Sequence, residues 1–457
     1  MQDSPSVPAQ PVMQIPQPTT LPLPQETPET PQKKKSWGII VLSLVNVLLI
    51  VALILSFNYE KFFPENTNQE TEETNNDKEE AIVTEKPTFF DKLIKLNNAM
   101  PADSNTTSTD GRIPVGLAGT GDVNNASHPA ILKINDSLYY VWYEGTDANN
   151  KQRIYHARST DGINWTKYDN SIPNNSDSVS TNGRIPAGTA GKGDSDVVTN
   201  PTVVYKDNEF KMWYCGYDGK NRRIFYATSP DALQWTKLDN SIPAISDTTT
   251  SNGRIANGTK GKFDEKDACA PEVMWDDDEK IYKMWYSSVV PGNIAMATSS
   301  DGLTWTKIDN SVPERTNTTT TNGRIAMGLE GSVDYIYARN PTVVKVNGRY
   351  HMWYVGGSPE STIKPGGSQV VVYATSEDGL TWKKYNNSSD TYKQKLSNGI
   401  GANGSLLFGT AGTLDDIDFG AADAIYDKGR LFMMIFGNAG TPRKSRIQTV
   451  YSIPQSE

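Results

Sequence analysis

The sequence predicts an all-β protein, a five-bladed β-propeller behind a single transmembrane helix. Two observations predict it. One polar motif is written five times at a spacing of about seventy residues, and each copy carries the same strand-and-turn series; a 21-residue apolar run lies ahead of all five. A repeat at fixed period, built from short β-branched and aromatic runs, is the signature of radially stacked sheets.

The N-terminal region divides by composition. Residues 1–35 hold nine prolines and few aliphatics, which favours an extended, disordered tail. Lys33, Lys34 and Lys35 precede the run from Trp37 to Phe57, broken only by Ser43, Asn46 and Ser56. At about 1.5 Å per residue this run spans the hydrocarbon layer, so residues 36–57 read as an uncleaved anchor. A secretory signal is the alternative, but its apolar region is shorter. The lysines favour a cytoplasmic N-terminus and place residues 91–457 outside the cytoplasm, on a cell membrane. Residues 58–90 carry nine acidic residues against three lysines and read as a self-repelling spacer.

Composition then excludes several classes. The net charge is −9, most of it in that spacer, and this mild acidic balance argues against a nucleic-acid binder, which would need a basic face. The three histidines, His128, His156 and His351, make no metal-spaced pair, and no phosphate loop or dinucleotide fingerprint occurs. No metal or cofactor is expected. Cys215 and Cys269 fall in neighbouring blades and read as free buried thiols, with a disulfide the alternative outside the cell.

The repeats align from Arg112, Arg184, Arg254 and Arg324. An Asp follows each after ten residues, Asp122, Asp194, Asp264 and Asp334, and a Pro after seven more, Pro129, Pro201, Pro271 and Pro341. A fifth copy has Ser405, Asp415 and Ala422 in those columns. The constant spacing suggests that Arg and Asp pair within each long connection, and that the connections lie over the channel mouth. Each Pro opens an inner strand. A second strand follows with Trp142, Trp213, Trp285 or Trp353, then a third strand, a Ser-x-Asp turn and a short fourth strand led by Trp165, Trp235, Trp305 or Trp382. The last copy stops without a fourth strand, and Leu93-Ile-Lys-Leu matches the missing piece. The N-terminal strand should therefore complete the fifth blade, leaving no open edge. The acidic turn Asp276–Glu279 reads as solvated, since a calcium loop's alternation is absent.

The Pro-led inner strand, the Met-Trp-Tyr second strand and the Tyr-Ala-Thr-Ser-x-Asp-Gly-x-x-Trp hairpin resemble the five-bladed propellers of arabinanases, levansucrases and invertases. That resemblance implies a glycoside hydrolase-like fold for residues 91–457, and a pair of inward-facing carboxyls flanking a glycosidic bond. One family carboxylate commonly precedes the Pro. Here that column reads His128, Asn200, Ala270, Asn340 and Ala421, and Arg339-Asn340-Pro341 looks like the family's Arg-Asp-Pro with the acid turned to an amide.

Strand alternation puts the residue after the Pro on the channel as well: Ala130, Thr202, Glu272, Thr342 and Asp423. Glu272 and Asp423 break the fivefold symmetry. They are the candidate acid and base, with His128, Asn200, Arg339 and Asn340 as candidate binders of sugar hydroxyls. The expected ligand is an external glycan. The alternatives are a carbohydrate-binding propeller without turnover and a scaffold for partner proteins.

Overall fold

A computed structural model describes residues 93–359, 369–385, 406, 413–415 and 417–452. The tail, the apolar run 36–57, the spacer 58–90 and Ser405 lie outside the described residues. Among the described residues, no helix is long and apolar enough to cross a membrane.

Five antiparallel sheets form the blades. Their inner strands are Asn125–Asn135, Val197–Lys206, Cys269–Asp276, Tyr337–Val346 and Asp418–Asp427. Each pairs with the strand after it, which carries the Trp-Tyr element in blades 1–4. Blades 1–4 gain a fifth, two-residue strand from the preceding connection, such as Thr107–Ser108 beside Trp165–Lys167. The expected four-stranded sheets are therefore five-stranded in these blades. Among the described residues the last blade has four, the outermost being Leu93–Lys95, in register with Lys444–Ser452 through Leu93↔Ser452 and Lys95↔Val450.

Tryptophan fills the seams. Among the described residues eight tryptophans, two per blade in the first four blades, are fully buried. Trp142, Trp213 and Trp285 each meet the fourth-strand tryptophan of the next blade edge-on, at 5.7, 5.7 and 5.8 Å between ring centroids. Burying one such side chain removes roughly 150–250 Å² from water, worth roughly 4–6 kcal/mol at about 25 cal/mol/Å². The ring-on-ring geometry adds only about 0.5–1.5 kcal/mol. Burial therefore holds the seams, and edge-on packing sets their register.

The Arg and Asp columns have separate partners, which corrects the expected pairing. Asp122, Asp194, Asp264 and Asp334 are wholly buried and receive the fourth-strand lysines Lys167, Lys237, Lys307 and Lys384 at 2.6–2.9 Å. Each also accepts from a second-strand tyrosine hydroxyl, Tyr143, Tyr214, Tyr286 or Tyr354. Arg112, Arg184, Arg254 and Arg324 instead bond the start of their own connection, for example Arg184 to Ser171 and Asp169. A buried carboxylate takes the ammonium that can be buried with it; the Arg side chains lie nearer solvent and close the loop ends. The described residues lining the channel mouth belong to strands and hairpins, and none belongs to these four Arg–Asp connections. They cross the third strand of the preceding blade, as in Ile154↔Ile185 and Ile224↔Ile255.

In the fifth blade Asp415 pairs with Lys95, supplied by the first strand. Burial pulls the Lys95 ammonium below its ordinary pKa, opposed by the Asp415 charge. Asp276 also departs from expectation. It is buried, held by Lys345 at 3.0 Å and Lys283 at 3.2 Å.

Removing Lys95 leaves a buried, unpaired carboxylate. Lys95→Met should lower unfolding stability by about 3–5 kcal/mol in urea titration. Lys151→Ala, at the half-exposed pair with Asp196, should change it by less than about 0.5 kcal/mol. Equal effects would remove the closing role from Lys95.

Candidate active site

The inner strands converge on the axis, and a β-bulge in each of the first four re-aims the residue before the Pro. The register shifts there between Ser127 and Ala130, Thr199 and Thr202, Cys269 and Glu272, and Arg339 and Thr342, and in the fifth strand between Gly420 and Ala422. His128, Asn200, Ala270 and Asn340 take left-handed φ values of 47, 47, 47 and 53°. Asparagine tolerates this region best. The residue before the Pro lines the mouth and the neck below it, whereas Glu272 and Asp423, from the column after the Pro, line the neck and not the mouth.

The neck is narrow. His128, Asn200, Ala270, Asn340, Glu272 and Asp423 surround a cavity of about 20 Å³, which holds about one water. Glu272 is buried and Asp423 half-buried within it, and the Thr342 hydroxyl reaches both, at 3.4 and 3.2 Å. Backbone amides of neighbouring blades occupy their oxygens: Val343 N–H donates to Glu272 at 3.0 Å and Ile131 N–H to Asp423 at 2.6 Å. Thr202 does the same in the preceding blade, accepting from Val273 N–H at 3.2 Å. The column after the Pro thus stitches blade to blade. Burial pushes Glu272 well above the ordinary carboxylate range, and the Asp423 charge adds to the shift. Burial also raises Asp423, against the amides that favour its anion.

The mouth above it is larger, about 280 Å³. His128, Asn200, Arg339 and Asn340 all line it, together with Gln152, Arg222, Gln369, Phe436 and Asn438. Glu144, which inner-strand reasoning missed, is the one carboxylate among the described lining residues. It lies two residues after Trp142 on the second strand, in a column that reads Cys215, Ser287, Val355 and Phe436 in the other blades. That break in symmetry is visible in the sequence, beside the Trp-Tyr pairs.

Glu144 is 3.1 Å from His128 Nδ1 and accepts from Ser127 at 3.1 Å, Gln152 at 2.8 Å and the Thr199 hydroxyl. Burial alone would raise its pKa; the His128 ring and these donors outweigh that and hold it below the ordinary value. The pair fixes the His128 ring, which also packs against Phe436 at 4.9 Å. Arg339 stacks over Tyr337 at 3.9 Å and has no ion-pair or hydrogen-bond partner among the described residues. Arg222 lies 3.6 Å from Asp267. Cys215 and Cys269 form a disulfide at this mouth, so they are not the free thiols expected.

A family model described as β-1,4-mannooligosaccharide phosphorylase matches residues 121–329. An uncharacterised protein of Mycobacterium tuberculosis is 30% identical over 132 residues, covering 27% of this chain and 38% of that protein. The matched segment thus spans little more than a third of that relative's length. Among solved structures, a glycosyl hydrolase from Bacteroides ovatus superposes with a TM-score of 0.51 at 14% identity, covering 79% of this chain and 94% of that one. A second glycoside hydrolase gives 0.51 at 14% identity, over 80% and 94%. At such identity the likeness is one of fold.

A carboxyl whose folded pKa is raised lends stability that is fully present below its unfolded value, about 4, and is lost as pH climbs through the folded value. Glu272→Gln keeps the acceptor for Val343 N–H and removes the charge. It should raise the melting temperature at pH 8 by about 2 °C or more and leave it nearly unchanged at pH 4. A lower melting temperature at pH 8 would mean that the Glu272 anion stabilises the neck.

Proposed function

Starting from a five-bladed β-propeller of the glycoside hydrolase-like superfamily, we propose that this protein cleaves an oligosaccharide at the channel mouth, with phosphate as the attacking group. One observation carries the reading. The mouth offers a single carboxylate among its described lining residues, fixed on a histidine, beside an arginine with no acidic partner. Hydrolysis by two carboxyls needs a second one flanking the bond. Glu272 and Asp423 lie below, at a neck too narrow for a sugar ring and on the separate cavity beyond it, so neither lines the mouth.

Phosphorolysis needs one proton donor and a cationic place for the nucleophile. In this reading Asn200, Asn340, Gln152 and Gln369 bind sugar hydroxyls, and Phe436 offers an apolar face. Phosphate sits against Arg339 and attacks the anomeric carbon. The glycosidic C–O bond breaks, and His128, held by Glu144, gives its proton to the leaving oxygen. The products are a sugar phosphate and a chain shortened by one sugar. The matched family's description supports mannooligosaccharides as the first substrates to try.

A binding-only reading draws on one observation. Glu144 already accepts from Ser127, Gln152 and Thr199 besides touching His128. Calorimetry showing affinity for these oligosaccharides without any turnover would select it.

The test is turnover of mannooligosaccharides with and without inorganic phosphate. The reading expects sugar phosphate to form only with phosphate, a loss of about 10²–10⁴ in kcat for Glu144→Gln, and near-normal turnover for Glu272→Gln. Reducing sugar released at the same rate without phosphate, or an active Glu144→Gln variant, would contradict it.

The reading includes an extracytoplasmic propeller held by residues 36–57. The Cys215–Cys269 disulfide suits an oxidising compartment. Protease added to intact cells should release the propeller and spare residues 1–35. Protection of the propeller until the cells are lysed would place it inside.

A further inference from the structure

The mouth is closed seam by seam, between the second strand of one blade and the inner strand of the next. At the first seam the Thr199 hydroxyl donates to Glu144. At the third, Asn340 N–H donates to Ser287 Oγ at 3.3 Å. At the second the closure is covalent, from Cys215 to Cys269. Glu144, Cys215 and Ser287 are equivalent second-strand positions, and Thr199 and Cys269 equivalent inner-strand ones, so the disulfide replaces the hydrogen bond of the first seam at the same place in the ring.

That place governs two left-handed residues. Cys215 lies opposite Thr199 in the ladder, next to Asn200, and Cys269 precedes Ala270. Both Asn200 and Ala270 have φ of 47°. Asparagine occupies this region readily; alanine does so at a steric cost and stays only where its surroundings hold it. The Cys269 sulfur is also 3.9 Å from Asn200 Oδ1, against the amide that faces the mouth. Away from the mouth the same seam is held by other means: Trp213 against Trp305, and Ile224 bridged to Ile255. Opening the disulfide therefore frees the rim and leaves the seam packed.

We propose that the Cys215–Cys269 disulfide is the positioning clasp of the mouth, and that its reduction weakens glycan binding by releasing Asn200 and Ala270. Cys269 lines the mouth, whereas Cys215 is wholly buried. A dithiol reductant enters there. Its thiolate attacks the Cys269 sulfur and expels the Cys215 thiolate, which takes up a proton. The second thiolate of the reductant then displaces Cys269 and closes the reductant's own disulfide. Two electrons pass to the protein, and two thiols remain.

The substrate side of this inference rests on the reading that the mouth takes a glycan, so the test has an arm that needs no ligand. The full-length chain is compared oxidised, reduced with dithiothreitol, and as Cys215→Ser/Cys269→Ser, with thiols counted by alkylation and mass. Backbone amide exchange should quicken at Val197–Thr202 and Cys269–Glu272 on reduction, while the Trp235–Lys237 strand stays protected. Unchanged exchange at the rim, with both thiols alkylated, would overturn the clasp whether or not any sugar binds. With mannooligosaccharides, KM should rise about tenfold, the worth of one well-placed hydrogen bond, with kcat little altered. Reoxidation should restore the wild type, and the double variant should ignore reductant. A fall in kcat at constant KM would also overturn the proposal. Reduction of the folded wild type keeps the test open if the variant fails to fold.

Discussion

The ring depends on a carboxylate buried at every blade connection. Each of Asp122, Asp194, Asp264, Asp334 and Asp415 is wholly removed from water and can stay so only because a lysine is buried against it. Losing either partner strands a charge, so each blade is locked to its own outer strand. In the last blade that strand comes from the other end of the described chain. Closure is thus an electrostatic condition as well as a matter of strand pairing. Small residues serve the same contact. A side chain on Gly145, Gly216 or Gly437 would come within 2.8, 2.6 or 2.7 Å of the Cβ of Asp122, Asp194 or Asp415.

Once the ring is fixed, the axis sorts polar groups by height. The left-handed residue before the Pro turns its side chain up into the mouth, and the residue after it turns inward to the neck. At the neck, side-chain oxygens receive amides of the next blade, so Glu272 and Asp423 serve the ring first. At the mouth the seams use three chemistries, a carboxylate, a disulfide and a serine, and this inequality turns a symmetric ring into a site with one orientation. A single substrate needs that asymmetry, because five equal walls give it no preferred direction.

The blade architecture is legible in the sequence because packing repeats. The Trp, Pro and Asp columns recur at constant spacing, and Leu93-Ile-Lys-Leu matches a fourth strand closely enough to forecast closure. The site is less so. Constant spacing between Arg112 and Asp122 shows that both are fixed, not that they touch; their partners lie outside the motif, at Ala99 and Lys167. Alternation by two brings both columns to the channel, as expected, but says nothing of height along it: only the residue before the Pro also reaches the mouth. Glu144 lies on the second strand, where the repeated aromatic pairs dominate the pattern. The disulfide needs the distance between blades, which no spacing supplies. The two-residue outermost strands are too short for any periodicity to reveal.

The most direct measurement is a crystal structure of the chain with a mannooligosaccharide and phosphate bound. The account predicts a sugar ring between Asn200 and Asn340, its glycosidic oxygen facing His128, and phosphate against Arg339, with the neck empty of sugar. A sugar wedged between Glu272 and Asp423, or one bound on the outer face of a blade while the mouth holds only water, would contradict it.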